Sequence, residues 1–359
     1  MSSVISTIIR AANNAANTLF GRSSGNVASS SLASVALYGG TNAYNSLTGD
    51  AYLLSQSAVG GPNVLYGGAN SSNFLFGDAQ VMTDHAMGGH NALYGGTFAY
   101  NAIYGDANTI GGSAIGGYNA LTGGGSGTNY LYGDADTLTN LATGGHNTLI
   151  GGANSFNQED GDARIFTGSA HGGANRLTGG SGSSNFLYGD GEAMQCATVG
   201  GQNVLTGGAN SYNLLVGDAA AMSGSAKGGG NTLIGGANST NFLYGDAKTM
   251  TQTASGGGNT LVAGYGSTSY LWGGAGVASA TNQIAGNAFD FALGDYRAFI
   301  EDFRSGLDKI DLAANLGVTS FSQLHITVWA GASTIALNAH DSLAVVGDTH
   351  LVASDFKFG

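Results

Sequence analysis

The feature that most constrains this chain is a 28-residue repeat, which runs through most of the sequence without an insertion or a deletion. Gly273-Gly274 keeps the spacing at one end, and Leu19-Phe20-Gly21-Arg22 keeps it at the other. Units of one fixed length must share one local structure, and such a period is typical of solenoid proteins. The pair Gly-Asp marks the same place in each unit, at Gly49-Asp50, Gly77-Asp78, Gly105-Asp106, Gly133-Asp134, Gly161-Asp162, Gly189-Asp190, Gly217-Asp218 and Gly245-Asp246.

The repeating unit has the pattern GGxNxLxGGAxxxNxLxGDAxxMxxxAx, as in residues 60–87. Short apolar segments between glycines predict three brief strands in each unit. Leu65 and Leu75 are the predicted inward residues, and each follows an asparagine by two positions. A unit of this size buries its leucines only when neighbouring units stack on it. The sequence therefore predicts an all-β fold, a parallel β-solenoid (β-roll or β-helix) with coils ~4.8 Å apart.

Asparagine fills two columns of the predicted stack, each at an inward position two residues before a leucine. Stacked amides can donate to one coil and accept from the next, as in cross-β ladders. The alternative interpretation is that these residues form turns, because asparagine tolerates left-handed backbone. The first column is Asn63, Asn91, Asn119, Asn147, Asn175, Asn203, Asn231 and Asn259, and the second is Asn73, Asn101, Asn129, Asn157, Asn185, Asn213 and Asn241.

Composition excludes several classes of protein. The chain has 64 glycines and one proline, without the Gly-X-Y triplet of collagen. A net charge of −12 with only 10 Lys and Arg disfavours nucleic acid as a partner, because such binding depends on neutralising phosphates. No stretch reaches the ~18 apolar residues of a membrane span. Cys196 is the only cysteine, so a disulfide framework is excluded.

The two ends of the chain depart from the repeat. Val4, Ile5, Ile8, Ile9 and Ala12 have helical spacing, which predicts a short capping helix within residues 1–20. The β-solenoid is predicted over residues 21–279. Residues 280–359 have ordinary composition and are predicted to form a β-rich C-terminal cap.

The C-terminal segment resembles a known family. Residues 301–312, EDFRSGLDKIDL, resemble the DFxxGxDxIDL motif that follows repeats-in-toxin (RTX) arrays, and residues 341–347 and 351–358 are similar to the same domain. The resemblance implies bacterial type I secretion through an uncleaved C-terminal signal, and so an extracellular or cell-surface location. The N-terminal segment lacks the features of a secretory signal peptide, which agrees with that expectation.

The array itself departs from the RTX pattern, because GGxGxD is absent. RTX repeats bind calcium through aspartates between turns, and calcium is the one cofactor that the pattern suggests here. Its candidate ligands are Asp78, Asp106, Asp134, Asp162, Asp190, Asp218 and Asp246, together with Glu159 and Asp160. The alternative for the Gly-Asp column is exposure to solvent with hydrogen bonds to nearby backbone N–H groups.

One unit breaks the pattern, since Gln158, Glu159 and Asp160 stand where other units have residues such as Phe, Leu and Tyr. A buried unpaired carboxylate is costly. We therefore expect the strand to bend outward, or Glu159 to bind a cation or pair with Arg164. A single defective coil, a metal site and a catalytic carboxylate pair are the three interpretations of this unit.

Aromatic residues flank the inward leucines of the second strand. Rows of rings at coil spacing would exceed the apolar patch that a monomer ordinarily exposes. One interpretation is that they cover the solenoid locally, and the other is a face for self-assembly or adhesion. The candidate residues are Phe74, Phe76, Tyr130, Tyr132, Phe186, Tyr188, Phe242, Tyr244, Tyr270 and Trp272.

These observations favour a secreted structural protein that self-assembles into a filament, surface layer or biofilm matrix. A calcium-binding RTX module for adhesion or ligand binding is one alternative, and an ice- or carbohydrate-binding solenoid is another. Partners are therefore other copies of the chain and cell-surface polysaccharide. HExxH and P-loop motifs are absent, and His90 and His146 are two coils apart, so we expect no enzyme activity.

Overall fold

The 28-residue unit folds as one coil of a parallel β-solenoid, in a computed structural model that describes residues 7–279, 282 and 285–359. Equivalent residues of successive coils pair directly, so Leu65 pairs with Leu93 and Asn73 with Asn101. The pairing confirms the predicted architecture and its period. Within the described residues, none of the helical turns has the length and apolar character of a membrane span.

Each coil contributes one strand to each of three parallel sheets, here called sheets 1, 2 and 3. Sheet 1 contains 13 strands, Thr7–Arg10, Val35–Tyr38, Val64–Tyr66, Ala92–Tyr94, Ala120–Thr122, Thr148–Ile150, Arg176–Thr178, Val204–Thr206, Thr232–Ile234, Thr260–Val262, Ala288–Phe291, Lys309–Leu312 and Phe356–Phe358. Sheet 3 contains 10 strands, Ser23–Ala28, Ala51–Ser55, Ala79–Met82, Thr109–Ile110, Ala135–Leu138, Ala163–Phe166, Gly191–Met194, Ala219–Met222, Ala247–Met250 and Ala275–Ala278.

Sheet 2 contains 14 strands, and the last two in its order are antiparallel to their neighbours. In that order they are Ala16–Phe20, Tyr44–Thr48, Ser72–Phe76, Tyr100–Tyr104, Thr128–Tyr132, Phe156–Asp160, Ser184–Tyr188, Tyr212–Val216, Thr240–Tyr244, Thr268–Trp272, Arg297–Ile300, Ser342–Val346, Ala332–Ala336 and His325–Trp329.

The interior of a coil has two apolar lobes. Leu65 and Leu75 belong to the larger cluster, between sheets 1 and 2, and both are fully buried. Met82 and Ala86 belong to a separate cluster, beside sheet 3.

At the junction of the lobes, the Nδ2 group of Asn63 donates to the carbonyl of Gly77, and Asp50 accepts from the N–H of Gly61. We call this junction the waist.

Close stacking explains why the corners of the coil need glycine. A Cβ atom added to Gly77 would lie 1.7 Å from the carbonyl oxygen of Gly105 in the next coil. Another corner, between sheets 1 and 2, contains a left-handed residue, which is Asn70 (φ 51°) in one coil and Asn154 (φ 53°) in another. Asparagine adopts this backbone more readily than most residues.

The helix predicted for residues 1–20 is wrong where the structure describes them. Thr7–Arg10 and Ala16–Phe20 are strands that pair in parallel with the following coil, so this segment belongs to the solenoid. Ile8 and Ile9 lie in the first of these strands. Val4 and Ile5 lie outside the described residues.

The C-terminal segment continues sheets 1 and 2 and then closes sheet 2 with the antiparallel strands, which confirms a β-rich cap. Three 3-10 turns connect its strands, at Ala314–Leu316, Phe321–Gln323 and Ala353–Asp355. Ile310 and Leu312 of the RTX-like motif are fully buried and extend the larger apolar cluster.

Candidate functional site: two polar files and an aromatic file

The second asparagine column forms a continuous hydrogen-bonded ladder. The Nδ2 group of Asn73 donates to Oδ1 of Asn101 at 2.8 Å and to the carbonyl of Gly68 at 2.9 Å. Its own Oδ1 accepts from Asn45 and from the N–H of Gly68. Both ends of each amide are thus used, and the predicted amide ladder is confirmed for this column.

The first asparagine column connects the coils in a different way. The backbone N–H of Asn63 donates to Oδ1 of Asn91 at 2.9 Å. The Nδ2 group of Asn91 crosses the waist and donates to the carbonyl of Gly105, also at 2.9 Å. This column therefore bonds each coil to the next and also holds the two sides of the waist together.

The aspartates of the Gly-Asp pairs form a further polar column along the waist, beside the two asparagine columns. Their solvent exposure, one of the two predicted outcomes, is wrong, because every member is fully buried. The N–H of Gly89 donates to Oδ2 of Asp78 at 2.6 Å, and the N–H of Gly145 donates to Asp134 at 2.7 Å. The aspartate file comprises Asp50, Asp78, Asp106, Asp134, Asp162, Asp190, Asp218 and Asp246.

Several carboxylates in the file lack a second partner. The oxygens without a hydrogen bond include Oδ1 of Asp162 and Oδ2 of Asp190, Asp218 and Asp246. Burial raises the pKa of Asp190 to about 6 and that of Asp246 to about 7. Burial raises the pKa of Asp134 well above its usual range, and the charges of Asp106 and Asp162 raise it further. Burial and the repulsion between neighbouring carboxylates therefore both disfavour full ionisation of the file.

Calcium binding by these residues stays a prediction. Over the described part of the chain, the structure brings together no group of three or more His, Cys, Asp or Glu side chains that could hold a metal ion. Neighbouring aspartates approach one another in a line, so a cation between them would need further oxygen ligands, because Ca²⁺ takes six to eight.

The irregular coil keeps its strand in register with both neighbours, so the expected outward bend is wrong, and cation binding by Glu159 stays a prediction. Glu159 stays inward and fully buried, and neither of its carboxylate oxygens has a hydrogen-bond partner. Arg164 instead forms a bidentate ion pair with Asp136 in the preceding coil, at 2.7 and 3.0 Å. Burial raises the pKa of Glu159 well above its usual range, which favours the neutral acid.

Asp160 lies outside the leucine core, next to a small polar cluster. The Nε2 group of Gln158 donates to Asp160 at 3.1 Å and to Glu192 at 2.8 Å. Oδ1 of Asp160 has no hydrogen-bond partner and is fully buried. Sequence reasoning missed Glu192, which lies one coil away in the column of Arg164, at a place where a charged residue ordinarily indicates only a solvated surface.

The aromatic residues of sheet 2 separate into two sets with different environments. Phe76, Tyr132 and Tyr188 are almost completely buried, so outward exposure is wrong for them. A Cβ atom on Gly276 of sheet 3 would lie 2.8 Å from the ring of Tyr244, which shows that this column packs in the corner between sheets 2 and 3. The corner column, which also contains Tyr104, Tyr244 and Trp272, covers the solenoid locally.

The second set forms one continuous file of rings along the outer surface of sheet 2. Successive rings are in contact, with centroids 5.0 to 6.0 Å apart. From Tyr44 to Phe242 the file alternates between two columns, and each coil supplies one ring. The aromatic file is Tyr44, Phe74, Tyr100, Tyr130, Phe156, Phe186, Tyr212, Phe242, Tyr270 and Phe299.

The alternation gives the surface a period of two coils. Tyr100, Phe156 and Tyr212 occupy the column at the start of the strand, where the intervening coils have Thr128 and Ser184. Sequence reasoning found five of the ten rings but missed Phe299 and the four rings in this column, which begins with Tyr44. The signal was present, because from Tyr44 to Phe242 the two positions exchange a ring and a non-aromatic residue at every 28-residue step, and comparing alternate units would have revealed it.

The RTX-like motif lies at the C-terminal end of the aspartate file and of the first asparagine column. Both carboxylate oxygens of Asp302 accept from the backbone, from Gly273 at 2.7 Å and from Gly274 at 2.9 Å. Asp308 accepts from the N–H of Asn287 at 2.8 Å, as the asparagines of the first column do for their neighbours. In this chain, the motif's aspartates therefore act as caps for the last coil.

The remaining candidate side chains form no catalytic arrangement in the described residues. Tyr118 lies between His90 and His146, with ring centroids 4.9 and 5.2 Å from theirs. Cys196 is exposed in a left-handed turn. The prediction that the chain is not an enzyme stays a prediction.

A scan of protein-family models and searches of curated proteins and of solved structures return no match for this chain. The class that the fold defines is a parallel β-solenoid repeat protein. The likeness of residues 301–312 to the RTX motif stays a resemblance, and the secretion route that it implies stays a prediction.

Proposed function

We propose that this chain is a secreted structural protein that self-assembles laterally into extracellular material, such as a filament, a surface layer or a biofilm matrix. Type I export through the C-terminal segment brings it outside the cell. The proposal rests on the outer surface of sheet 2, where the aromatic file runs the length of the array.

The observation that most supports this proposal is the lack of charge on that surface. From the strand Tyr44–Thr48 to the strand Thr268–Trp272, the outward positions of sheet 2 contain one charged residue, Asp160. Ring edges from Tyr44, Tyr100 and Tyr212 remain more than 40% exposed. A continuous aromatic surface of this length is larger than a soluble monomer ordinarily exposes, and such surfaces mark interaction sites.

A second copy fits this surface because the repeat is regular. Two rods placed side by side repeat every contact once per coil or once per two coils, so a weak contact is multiplied along the array. Low charge permits the close approach that two chains of net charge −12 otherwise resist.

A calcium-responsive binding module is the second candidate. It is favoured by the buried carboxylate oxygens without partners in the aspartate file, since a cation would neutralise the charges that burial leaves costly. In that case folding and assembly would both depend on calcium.

Negative-stain electron microscopy of the purified chain, with calcium and with a chelator, tests both candidates. We expect ordered filaments or sheets in both conditions. Assembly lost only in chelator would favour the calcium module, and single particles in both conditions would contradict self-assembly.

The matched variants use residues that the array already tolerates. Phe186→Ser with Phe242→Ser places a small residue in a column that naturally contains Ser46 and Ala102, and we expect it to abolish assembly. Tyr66→Thr with Tyr94→Thr on sheet 1 copies Thr122 of the same column, and it should leave assembly unchanged.

A further inference from the structure

A long shallow groove follows the corner where sheets 1 and 2 meet. Its larger stretch encloses about 930 Å³ and passes six successive coils, from Ser126 to Gly266. At the strand spacing this corresponds to a length of about 24 Å. A second stretch of about 700 Å³ continues the same corner toward Asn14. Phe98 stands at the end of the second stretch and is 68% exposed.

The groove has uncharged, hydroxyl- and amide-rich chemistry. The larger stretch is lined by serine, threonine, asparagine and glycine, with the rings of Phe156, Tyr212 and Tyr296. The left-handed turn residues Asn154 and Asn210 are exposed along one wall. A surface that combines amides and hydroxyls with aromatic rings can hydrogen-bond a neutral polar ligand and contact its apolar faces at the same time.

The rings along the groove recur at every second coil. Tyr100, Phe156 and Tyr212 stand two coils apart, which corresponds to about 9.6 Å at the strand spacing. Between them Thr128 and Ser184 leave notches, because these side chains are much smaller than a ring. Two coils are close in length to two sugar units of an extended, β-1,4-linked polysaccharide, so each disaccharide would meet the same set of groups.

We propose that this groove binds a neutral, extended polysaccharide with a two-sugar repeat. The length and openness of the groove suit a polymer rather than a compact ligand. Acidic polymers are disfavoured by the net charge of −12. A peptide strand would need free backbone donors, but the corner N–H groups are used within the protein, as when the N–H of Gly152 donates to Asn157 at 2.9 Å.

The inference goes beyond self-assembly, and the groove shares the rings of Phe156 and Tyr212 with the aromatic file. The two proposals are separated by their readouts, because glycan affinity tests the groove, whereas imaging of the Phe186 and Phe242 variants, which lie outside the groove lining, tests assembly.

Isothermal titration calorimetry of the full chain with cellohexaose and with chitohexaose tests the groove. We expect one or both to bind, and maltohexaose, which is α-linked and curved, to bind at least tenfold more weakly. Phe156→Ser and Tyr212→Thr should each weaken binding by about tenfold. Both substitutions copy residues of adjacent coils, so the fold should tolerate them.

Tyr66→Thr with Tyr94→Thr on sheet 1 is the control and should bind as the unaltered chain does. The proposal is overturned if neither β-linked hexaose binds, if maltohexaose binds equally well, or if the groove variants keep full affinity. Imaging of the same preparations keeps the outcomes apart, because filaments without glycan binding would remove only this inference.

Discussion

The asparagine ladder and the aspartate file run side by side through the same coils, but their buried side chains differ in how completely they are hydrogen-bonded. Asn213 accepts from Gly208 and donates to Asn241 at 2.9 Å, so its amide is satisfied on both sides. Asp218, five residues later, accepts from Gly229 through Oδ1, and its Oδ2 has no partner. An amide both donates and accepts, whereas an ionised carboxylate only accepts. Stacking identical side chains therefore stabilises the coil only when each can be both donor and acceptor.

A proton removes this difference, because a protonated carboxyl can donate. Asp106 and Asp134 are close enough for a hydrogen bond between their side chains, which an added proton would supply. A half-protonated aspartate file can thus behave as a ladder, while a fully ionised file repels itself.

The largest expected effect follows from this proton dependence. Burial raises the pKa of Asp190 from 3.8 to about 6 and that of Asp246 to about 7. A raised folded-state pKa contributes stability that is fully present below about pH 4 and is lost as the pH rises through 6 to 7. Between pH 4 and pH 7 we expect the free energy of unfolding to fall by about 2–3 kcal/mol from the Asp190 rung alone, and by more over the whole file, because the other aspartates also have a raised pKa.

Urea unfolding followed by circular dichroism across pH 4 to 8 checks this prediction. The asparagine ladder does not titrate in that range, so it supplies no competing slope. Stability that stays constant or rises between pH 4 and pH 7 would contradict a buried, unneutralised file. The same series with calcium shows whether a cation replaces the protons, since bound calcium would flatten the slope at high pH.

The second expected effect comes from placing an aspartate in the asparagine ladder. In Asn213→Asp, the ladder loses the Nδ2 donor to Asn241 and to the carbonyl of Gly208, and it gains a buried charge. We expect a loss of about 3–5 kcal/mol at pH 7. Ser269 continues the same column beyond Asn241, so Asn241→Ser is the milder control. A loss below 1 kcal/mol in Asn213→Asp would show that the ladder contributes little.

The sequence predicted the coil, its period and its inward residues because a repeat without insertions allows one arrangement of columns. The first coil was mispredicted for the same physical reason that makes short apolar segments ambiguous. Ile8 and Ile9 fit a helical spacing, but the same residues pair 28 positions ahead with Ala36 and Leu37. Extending the repeat back past Asn17, which bonds to Asn45, would have identified the strand.

The candidate sites were less predictable, because they depend on where the waist divides the interior of the coil into two lobes. Charge ordinarily indicates exposure, and the sequence gives no sign of the waist where Gly61 and Asn63 approach Asp50 and Asp78. The corner column was misassigned because strand alternation separates inward from outward positions, whereas an outward position beside a corner can still be covered by the next sheet.

The smallest expected effect is the reverse exchange, Asp218→Asn, which converts one rung of the file into an amide. Its new Nδ2 group can donate to the carboxylate of Asp190 or Asp246, whose charges raise the pKa of Asp218 in the unaltered chain. At pH 7 we expect a gain of about 1–2 kcal/mol, because the amide donates a hydrogen bond without the cost of either ionising or protonating a buried carboxyl at that pH. At pH 4 the gain should vanish, since the carboxyl is then neutral. Urea unfolding at both pH values measures it, and destabilisation at pH 7 would mean that the ionised carboxylate has a partner, such as a bound cation, that an amide cannot replace.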